Sequence, residues 1–466
     1  MRSLRQLDPS VHFTREATLD ALGHTLSRAH IESVLNSYGV LEQRTRKLTM
    51  VLAVLLCIAM NLFTEEALDD VLARLLQGPR FLRPEEDLKP ASAGAIWQRR
   101  QQVGVAPLAA LFHEVCHPLA TPATRDAFLF GFRLMAVDGT TEDVPDTPAN
   151  AHYFGRQTGS RGDSAFPQVK AVYLCECGTH AICDAGFWPY TTSERVGGLR
   201  LLRSVGPGML LLWDRGFHSY DMCVRCRQRR AHFLARVPAF LKLKPLRRLS
   251  DGSYLAEIQP SEYRRRKRGE RLLVRVIEYT IDDPARPGHG EHHRLITSLL
   301  NPVLYPAHAL ACAYHERWEI EITIDETDTH QRSPHHPLRS RTPVGVLQEL
   351  YGLLLAHYAI RAVMHDAAIR TQVAPDRLSF VNAVRILRNA VFEFQIVAES
   401  QKAAWYDHLL CDIGREQLPA RDNRCNPRVV RRKMSNFGLK REVHRHWPQP
   451  TKPFEEAVVI SSHKLI

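Results

Sequence analysis

The spacing of apolar positions changes period near residue 125. Before that point the chain repeats at helical spacing. Residues 16–38 form an amphipathic pattern. Residues 42–63 start polar and basic, then become apolar enough for a buried helix. Thr64-Glu65-Glu66 reads as the start of a third helix, with Thr64 as cap and two acids in the first turn, and Gly78-Pro79 stops it. A charged, proline-rich loop over 80–90 leads to a short helix over 92–100 that carries Arg99 and Arg100. The pattern predicts an all-helical N-terminal domain over residues 1–125.

Beyond it, short runs of β-forming composition take over. Residues 127–137 read as a strand ending in Asp138. Residues 169–175 and 180–188 are two more, joined by the turn signal Glu176-Cys177-Gly178-Thr179. Ser193-Glu194 opens a helix through Leu202, Gly206-Pro207-Gly208 breaks it, and residues 209–213 form a short, fully apolar strand ending in Asp214. Strand, strand, strand, helix, strand is the order of an RNase H-like core: an antiparallel meander, then a crossover helix to a parallel strand. We place the first part of this core at 126–231.

Residues 232–305 read as a mainly β insertion. It contains the basic run Arg264-Arg265-Arg266-Lys267-Arg268, a strand over 272–281, a turn over 282–290 and a return strand over 294–300. The core resumes over 306–370, with a helix over 314–331, a basic loop over 335–343 and a long apolar helix over 344–368 expected to pack on the sheet. Residues 371–466 read as a helical C-terminal region ending in a basic tail that includes Arg428, Arg431, Arg432 and Lys433. The fold class is therefore α/β: an RNase H-like core with a mainly β insertion, flanked by helical regions.

Composition sharpens this little, but charge does more. The 466 residues are 44% hydrophobic and 24% charged, as in ordinary globular proteins. Lys and Arg number 62 against 50 Asp and Glu, a net +12, which favours a polyanionic partner such as nucleic acid. The 10 cysteines are scattered, unlike a disulfide framework. No apolar h-region opens the chain, and the run over 50–60 falls short of the roughly 18 residues that span a bilayer. These features point to a reducing, aqueous compartment and no membrane.

Three acids stand where a divalent cation would use them. Asp138 opens Asp138-Gly139-Thr140-Thr141, and Asp214 opens Asp214-Arg215-Gly216-Phe217. Glu321 lies in Tyr314-His315-Glu316-Arg317-Trp318-Glu319-Ile320-Glu321. At about 100° per residue, Tyr314, Arg317, Glu321 and Asp328 share one helix face, while Glu316, Glu319 and Glu326 point elsewhere. Two strand-end aspartates and a helix glutamate suit two magnesium ions, which prefer carboxylate oxygen and serve phosphodiester cleavage. Arg317 would grip a phosphate with paired hydrogen bonds and Tyr314 would donate to the next; Arg339 and Arg341, in the basic loop, are further phosphate-binding candidates. The competing reading is a solvated charged helix with an Arg317–Glu321 pair worth a few tenths of a kcal/mol. Arg99 and Arg100 would contact a DNA end or simply be solvated.

At these residues the chain resembles the DDE transposases of bacterial insertion sequences, family four. Its D-G-T-T, D-R-G-F and Y-x2-R-x3-E motifs match Asp138–Thr141, Asp214–Phe217, and Tyr314, Arg317 and Glu321; Thr329-His330-Gln331 and residues 338–343 also agree. The resemblance implies a bacterial, cytoplasmic and nucleoid-associated enzyme that moves an insertion element. Its cofactor would be Mg2+, two ions, with Mn2+ as a substitute. Its partners would be double-stranded DNA, as terminal inverted repeats and target, and a second copy in a homodimeric synaptic complex. Water would free a 3′-hydroxyl, which would then attack the second strand or the target. The family signature ends in lysine seven positions after the glutamate, where this chain has Asp328. An aspartate there would repel phosphate. That leaves two readings: a catalytically impaired DNA-binding relative acting as a repressor, or substitution by Arg332, Lys170 or another cation. Cys175, Cys177, Cys223 and Cys226 would make a zinc site only if their segments met; buried thiols are the plainer reading.

Overall fold

The computed structural model describes residues 25–42, 48–77, 91–159, 162–332, 337–394, 397–419, 429–430, 438–446 and 448–461. The Gly78-Pro79 stop, the loop over 80–90, most of the basic tail and the start of the first helical pattern lie outside them. The chain forms two compact units: residues 1–128, 136–204 and 319–418, and residues 129–135, 205–318 and 419–466.

The first unit is built around one long helix, Pro343–Thr371, capped by Thr342 and ended by Gln372 in the left-handed region. Most of its residues are buried all round, so it requires cover on every side. The helix Met50–Ala59, with all ten residues buried, lies along it. The helices Ala93–Val103, Ala106–Val115, Phe380–Phe394 and Lys402–Arg415 complete the cover. The N-terminal helices therefore share a core with the long helix, whereas the pattern suggested a self-contained domain. Gly352 allows the close approach, since a Cβ there would meet the Cys57 carbonyl oxygen at 2.1 Å. The third helix starts at Leu68, four residues later than the Thr64 signal, because residues 64–66 form a turn instead.

Arg99 and Arg100 are neither solvated nor displayed to DNA. Both are buried. Arg100 donates to Gln348 Oε1 at 3.2 Å, Ser340 Oγ at 3.1 Å and the Gly345 carbonyl at 2.9 Å. These bonds tie its helix to the first turns of the long one. Helical spacing identifies which side a residue occupies, but cannot say what covers that side.

The same unit holds the antiparallel strands Gln168–Glu176 and Ile182–Pro189, paired from Val169↔Pro189 to Cys175↔Ile182, with the strand Phe132–Asp143 next in order. That strand starts in the second unit and ends in the first. Asp138 is therefore mid-strand, not at a strand end. Thr140 and Thr141 favour continued extension, and Gly139 lets the Ala171 carbonyl and the Glu194 side chain sit close, at 3.3 and 3.0 Å from where a Cβ would be. The crossover helix is Glu194–Leu201.

In the second unit the start of this strand is followed in sheet order by Met209–Trp213, His232–Arg236, His293–Thr297, Leu272–Ile281 and Tyr254–Ile258. Met209–Trp213 pairs parallel with His232–Arg236, Leu210 opposite His232. The insertion strands pair antiparallel, and Val458–Ile460 from the tail adds to Leu272–Ile281. The return strand is His293–Thr297. The basic run is a short exposed helix, Tyr263–Lys267.

The contact at Gly352 yields a stability test. Gly352→Ala should destabilise by about 2–3 kcal/mol or more, because backbone must move to admit the methyl. Gly94→Ala, near the open start of its helix with nothing nearer than Ser92 Oγ at 4.0 Å, should instead gain up to about 1 kcal/mol. Urea unfolding of both variants measures the contrast.

Candidate metal and DNA-cleavage site

The two aspartates are held in the same way. Asp138 Oδ1 accepts the Gly139 N–H at 2.8 Å. Asp214 Oδ1 accepts the Gly216 N–H at 2.8 Å and that of Phe217 at 3.3 Å. Each carboxylate is thus oriented by the backbone that follows it. Glu321 lies in the helix Trp318–Asp325. All three are half-buried. Asp138 and Glu321 belong to the first unit and Asp214 to the second. Among the described residues, no three His, Cys, Asp or Glu side chains are gathered into a ready-made metal site.

In the second unit, a buried Arg275 prepares the approach to the glutamate helix. It pairs with Asp251 and donates to Ser253 Oγ at 2.8 Å and to the Tyr305 carbonyl at 2.6 Å. Asp251 Oδ2 also accepts the Ala307 N–H at 2.8 Å, which fixes the start of the helix Ala307–Ala313. The next four residues, Tyr314–Arg317, tighten into a 3₁₀ turn, which eclipses Tyr314 and Arg317. Tyr314 is buried and its hydroxyl donates to the Trp213 carbonyl at 3.3 Å. Burial pushes that hydroxyl upward, so it remains a donor. Tyr314 therefore anchors the segment beside Asp214, and its donor is already used inside the protein.

Arg339 is corrected on the same ground. Its Nη1 and Nη2 donate to the Glu66 and Met60 carbonyls, at the end of the Met50–Ala59 helix and the turn that follows. Its guanidinium closes backbone rather than meeting phosphate. Arg341 is exposed.

In the first unit the glutamate helix passes from α to π geometry at Glu326–Gln331. Two clusters grip it. On one side Asp328 Oδ2 accepts from Thr140 Oγ1 at 3.2 Å and Oδ1 from Thr327 Oγ1 at 3.0 Å. Glu142 lies beside it, paired with Arg332. Burial, then the Glu142 carboxylate, holds the Asp328 carboxyl well above the ordinary range. Burial and that neighbour therefore favour the protonated form of Asp328 over a reversed charge. The suggested substitutes are engaged too: Arg332 with Glu142, and Lys170 with Glu194 at 3.1 Å.

On the other side, Glu326 is buried and shared by three groups. Arg361 donates to both its oxygens, His357 Nε2 lies 3.1 Å from Oε2, and His180 Nδ1 lies 3.0 Å from Oε1. Burial would raise this carboxyl, but Arg361 and then His180 outweigh it and hold it well below the usual range. The pattern of the sequence missed this network. The available signal was His357 and Arg361, two polar residues at i,i+4 in the apolar middle stretch of the helix.

The cysteines take their plainer reading. Cys175 and Cys177 in the first unit and Cys223 and Cys226 in the second are buried. Burial raises the thiols of Cys175, Cys223 and Cys226, that of Cys226 to about 12, and among the described residues no three metal-ligating side chains gather around them. No helix among the described residues is long and apolar enough to cross a membrane.

Two family models match the chain. Residues 16–113 match the insertion element 4 transposase N-terminal model, and residues 130–359 match the transposase DDE domain. Transposase InsG for insertion sequence element IS4, from Escherichia coli (strain K12), is 27% identical over 445 residues, covering 93% of this chain and 94% of the relative. A piggyBac transposase solved in a synaptic complex with hairpin DNA aligns with a TM-score of 0.40 at 13% identity, covering 85% of this chain and 84% of that one. Family models over both regions, and a relative spanning nearly the whole length, agree with the motifs at Asp138, Asp214 and Glu321: the chain belongs to the DDE transposases of bacterial insertion sequences, in the insertion element 4 family.

Proposed function

We propose that Asp138, Asp214 and Glu321 hold two Mg2+ ions, with Mn2+ as a working substitute, and that the enzyme nicks the ends of its own element and joins them to new DNA as a homodimer. The observation that supports this is the similar handling of the two aspartates, each oriented at 2.8 Å by a backbone N–H that follows it in the chain. The donor set is all carboxylate oxygen, which suits a hard divalent cation. Bound there, such ions activate an attacking oxygen and stabilise the leaving one. The residues of the chain do the rest. Tyr314 and Arg275 hold the segment that leads into the glutamate helix, and Arg317 and Arg341 would meet phosphate. The bacterial nucleoid is the matching location.

Exposed cations supply DNA affinity. Arg265 is tied to Asp221 and Glu270 at 2.8 Å each, but Arg264, Arg266, Lys267 and Arg268 are exposed around it. We assign this helix to the DNA backbone, where each neutralised phosphate releases counterions.

Asp138→Ala, Asp214→Ala and Glu321→Ala should each abolish nicking of a labelled element end in Mg2+, while end affinity in a gel-shift assay stays within about threefold. Near-wild-type cutting by any one variant would remove that residue from the site. Replacing Arg264, Arg266, Lys267 and Arg268 together with Ala should lower the slope of log affinity against log salt by about one per lost phosphate contact. An unchanged slope would take the helix off the DNA.

Asp328 gives a test with a defined sign. The native state keeps a proton that the unfolded chain loses above about pH 3.9, so wild-type stability falls as pH rises from there toward the raised native value. Asn has no proton to lose. The melting temperature of Asp328→Asn, relative to wild type, should therefore climb between pH 5 and pH 8. A flat or falling difference would show that Asp328 is ionised in the folded protein.

A further inference from the structure

His180 sits in the turn between Gln168–Glu176 and Ile182–Pro189, with φ at 58°, in the left-handed region that few non-glycine residues adopt. Its ring is fully buried and bridges two acids of the glutamate helix: Nε2 lies 2.7 Å from Glu319 Oε2 and Nδ1 lies 3.0 Å from Glu326 Oε1. Glu319 and Glu326 are seven residues apart, so at about 100° per residue they lie on one side of the helix, and Glu321 lies on the opposite side. Between them Thr323 Oγ1 donates to the Glu319 carbonyl at 2.8 Å and lies 3.4 Å from Cys175 Sγ. The turn therefore grips the back of the helix along positions 319, 323 and 326, with Arg361 and His357 holding Glu326 from behind. All of these residues belong to the first unit.

We infer that His180 is a positioning residue for the cleavage reaction: through Glu319 and Glu326 it sets the rotation of the helix and so the direction in which Glu321 is presented. The inference rests on Glu321 being a metal ligand. A helix free to roll about its axis would carry that carboxylate off its place, and misplacements near 1 Å cost on the order of a hundredfold in rate. The neutral ring that donates from Nε2 to Glu319 accepts at Nδ1 from Arg361 Nη2, and the charged ring donates to both acids, so the contact with Glu319 is kept in either form. Here both ring nitrogens are directed at the two acids that share the flank behind Glu321.

The test uses the full-length chain and a labelled duplex from the DNA flanking the gene, spanning the terminal repeat. His180→Asn keeps a residue that tolerates left-handed backbone but is too short to bridge both acids. Glu319→Ala removes one acid, and Glu319→Gln keeps an acceptor. Free Mn2+ is measured by electron paramagnetic resonance in the protein–duplex complex, beside the Mg2+ concentration for half-maximal nicking. His180→Asn and Glu319→Ala should weaken Mn2+ binding and raise the Mg2+ midpoint at least tenfold. Metal-free duplex affinity should stay within twofold, and Glu319→Gln should return both values to within threefold of wild type. Wild-type Mn2+ affinity and Mg2+ midpoint in His180→Asn would overturn the positioning role, even with a lowered melting temperature. If that variant fails to fold, the same result in Glu319→Ala overturns it. Glu321→Gln is the reference: if it nicks like wild type, the assignment of Glu321 has failed, which is a different outcome from retained activity in the His180 and Glu319 variants alone.

Discussion

A carboxylate buried without partners would be several kcal/mol too costly to keep ionised. Glu326 is such a carboxylate, and its ionised form persists only because Arg361, His357 and His180 all converge on it. This requirement connects three distant parts of the first unit: the glutamate helix, the long helix Pro343–Thr371 and the turn after Gln168–Glu176. Removing any one partner leaves charge uncompensated in a site closed to water. The network thus acts less as a source of stability than as a condition on geometry. The helix bearing Glu321 is held where Glu326 meets these three partners.

The rest of the first unit supplies the walls of that site. The long helix is apolar around most of its circumference, and the N-terminal helices cover it as the strands do. Its polar residues mark where it does more than fill space. Gln348 and Glu349 bind Arg100 and the backbone at Arg339 and Ser340, while His357 and Arg361 bind Glu326. One helix therefore orders both the basic loop before it and the glutamate helix beside it. In the second unit the parallel reasoning applies to Arg275, whose buried charge is met by Asp251 and by carbonyls that lead into Ala307.

The sequence showed its regular elements well, because their signals are local. Met209–Trp213 and Leu272–Ile281 appear with the bounds the apolar runs suggested, and the crossover helix differs by one residue. Errors arose where a local rule met a tertiary partner. Asp138 looked like a strand end because the apolar run stops there, yet the strand continues through Gly139, which admits the close approach of Glu194 and the Ala171 carbonyl. Arg99, Arg100 and Arg339 looked like surface cations and are enclosed, since nothing local announces the partners they meet. A uniform helical step also hid the 3₁₀ turn at Tyr314–Arg317 and the π segment at Glu326–Gln331.

Asp328 shows why a signature position must be read with its neighbours in space. Taken alone, an acid in place of a lysine reverses a charge at the phosphate. In the fold it meets Thr140, Thr327 and Glu142, with Arg332 completing the cluster. Two carboxyl groups this close cannot both ionise cheaply, so one proton stays and the cluster's net charge depends on that proton and on Arg332 together. Glu142 lies four residues after Asp138 on the same strand, and Asp328 seven after Glu321 on the same helix. The cluster therefore fastens the two elements that carry two of the three proposed ligands. A lysine at this position would act from the helix alone, whereas the aspartate acts by joining helix to strand. The departure from the signature changes the means by which the helix is held and leaves the three carboxylates as they are.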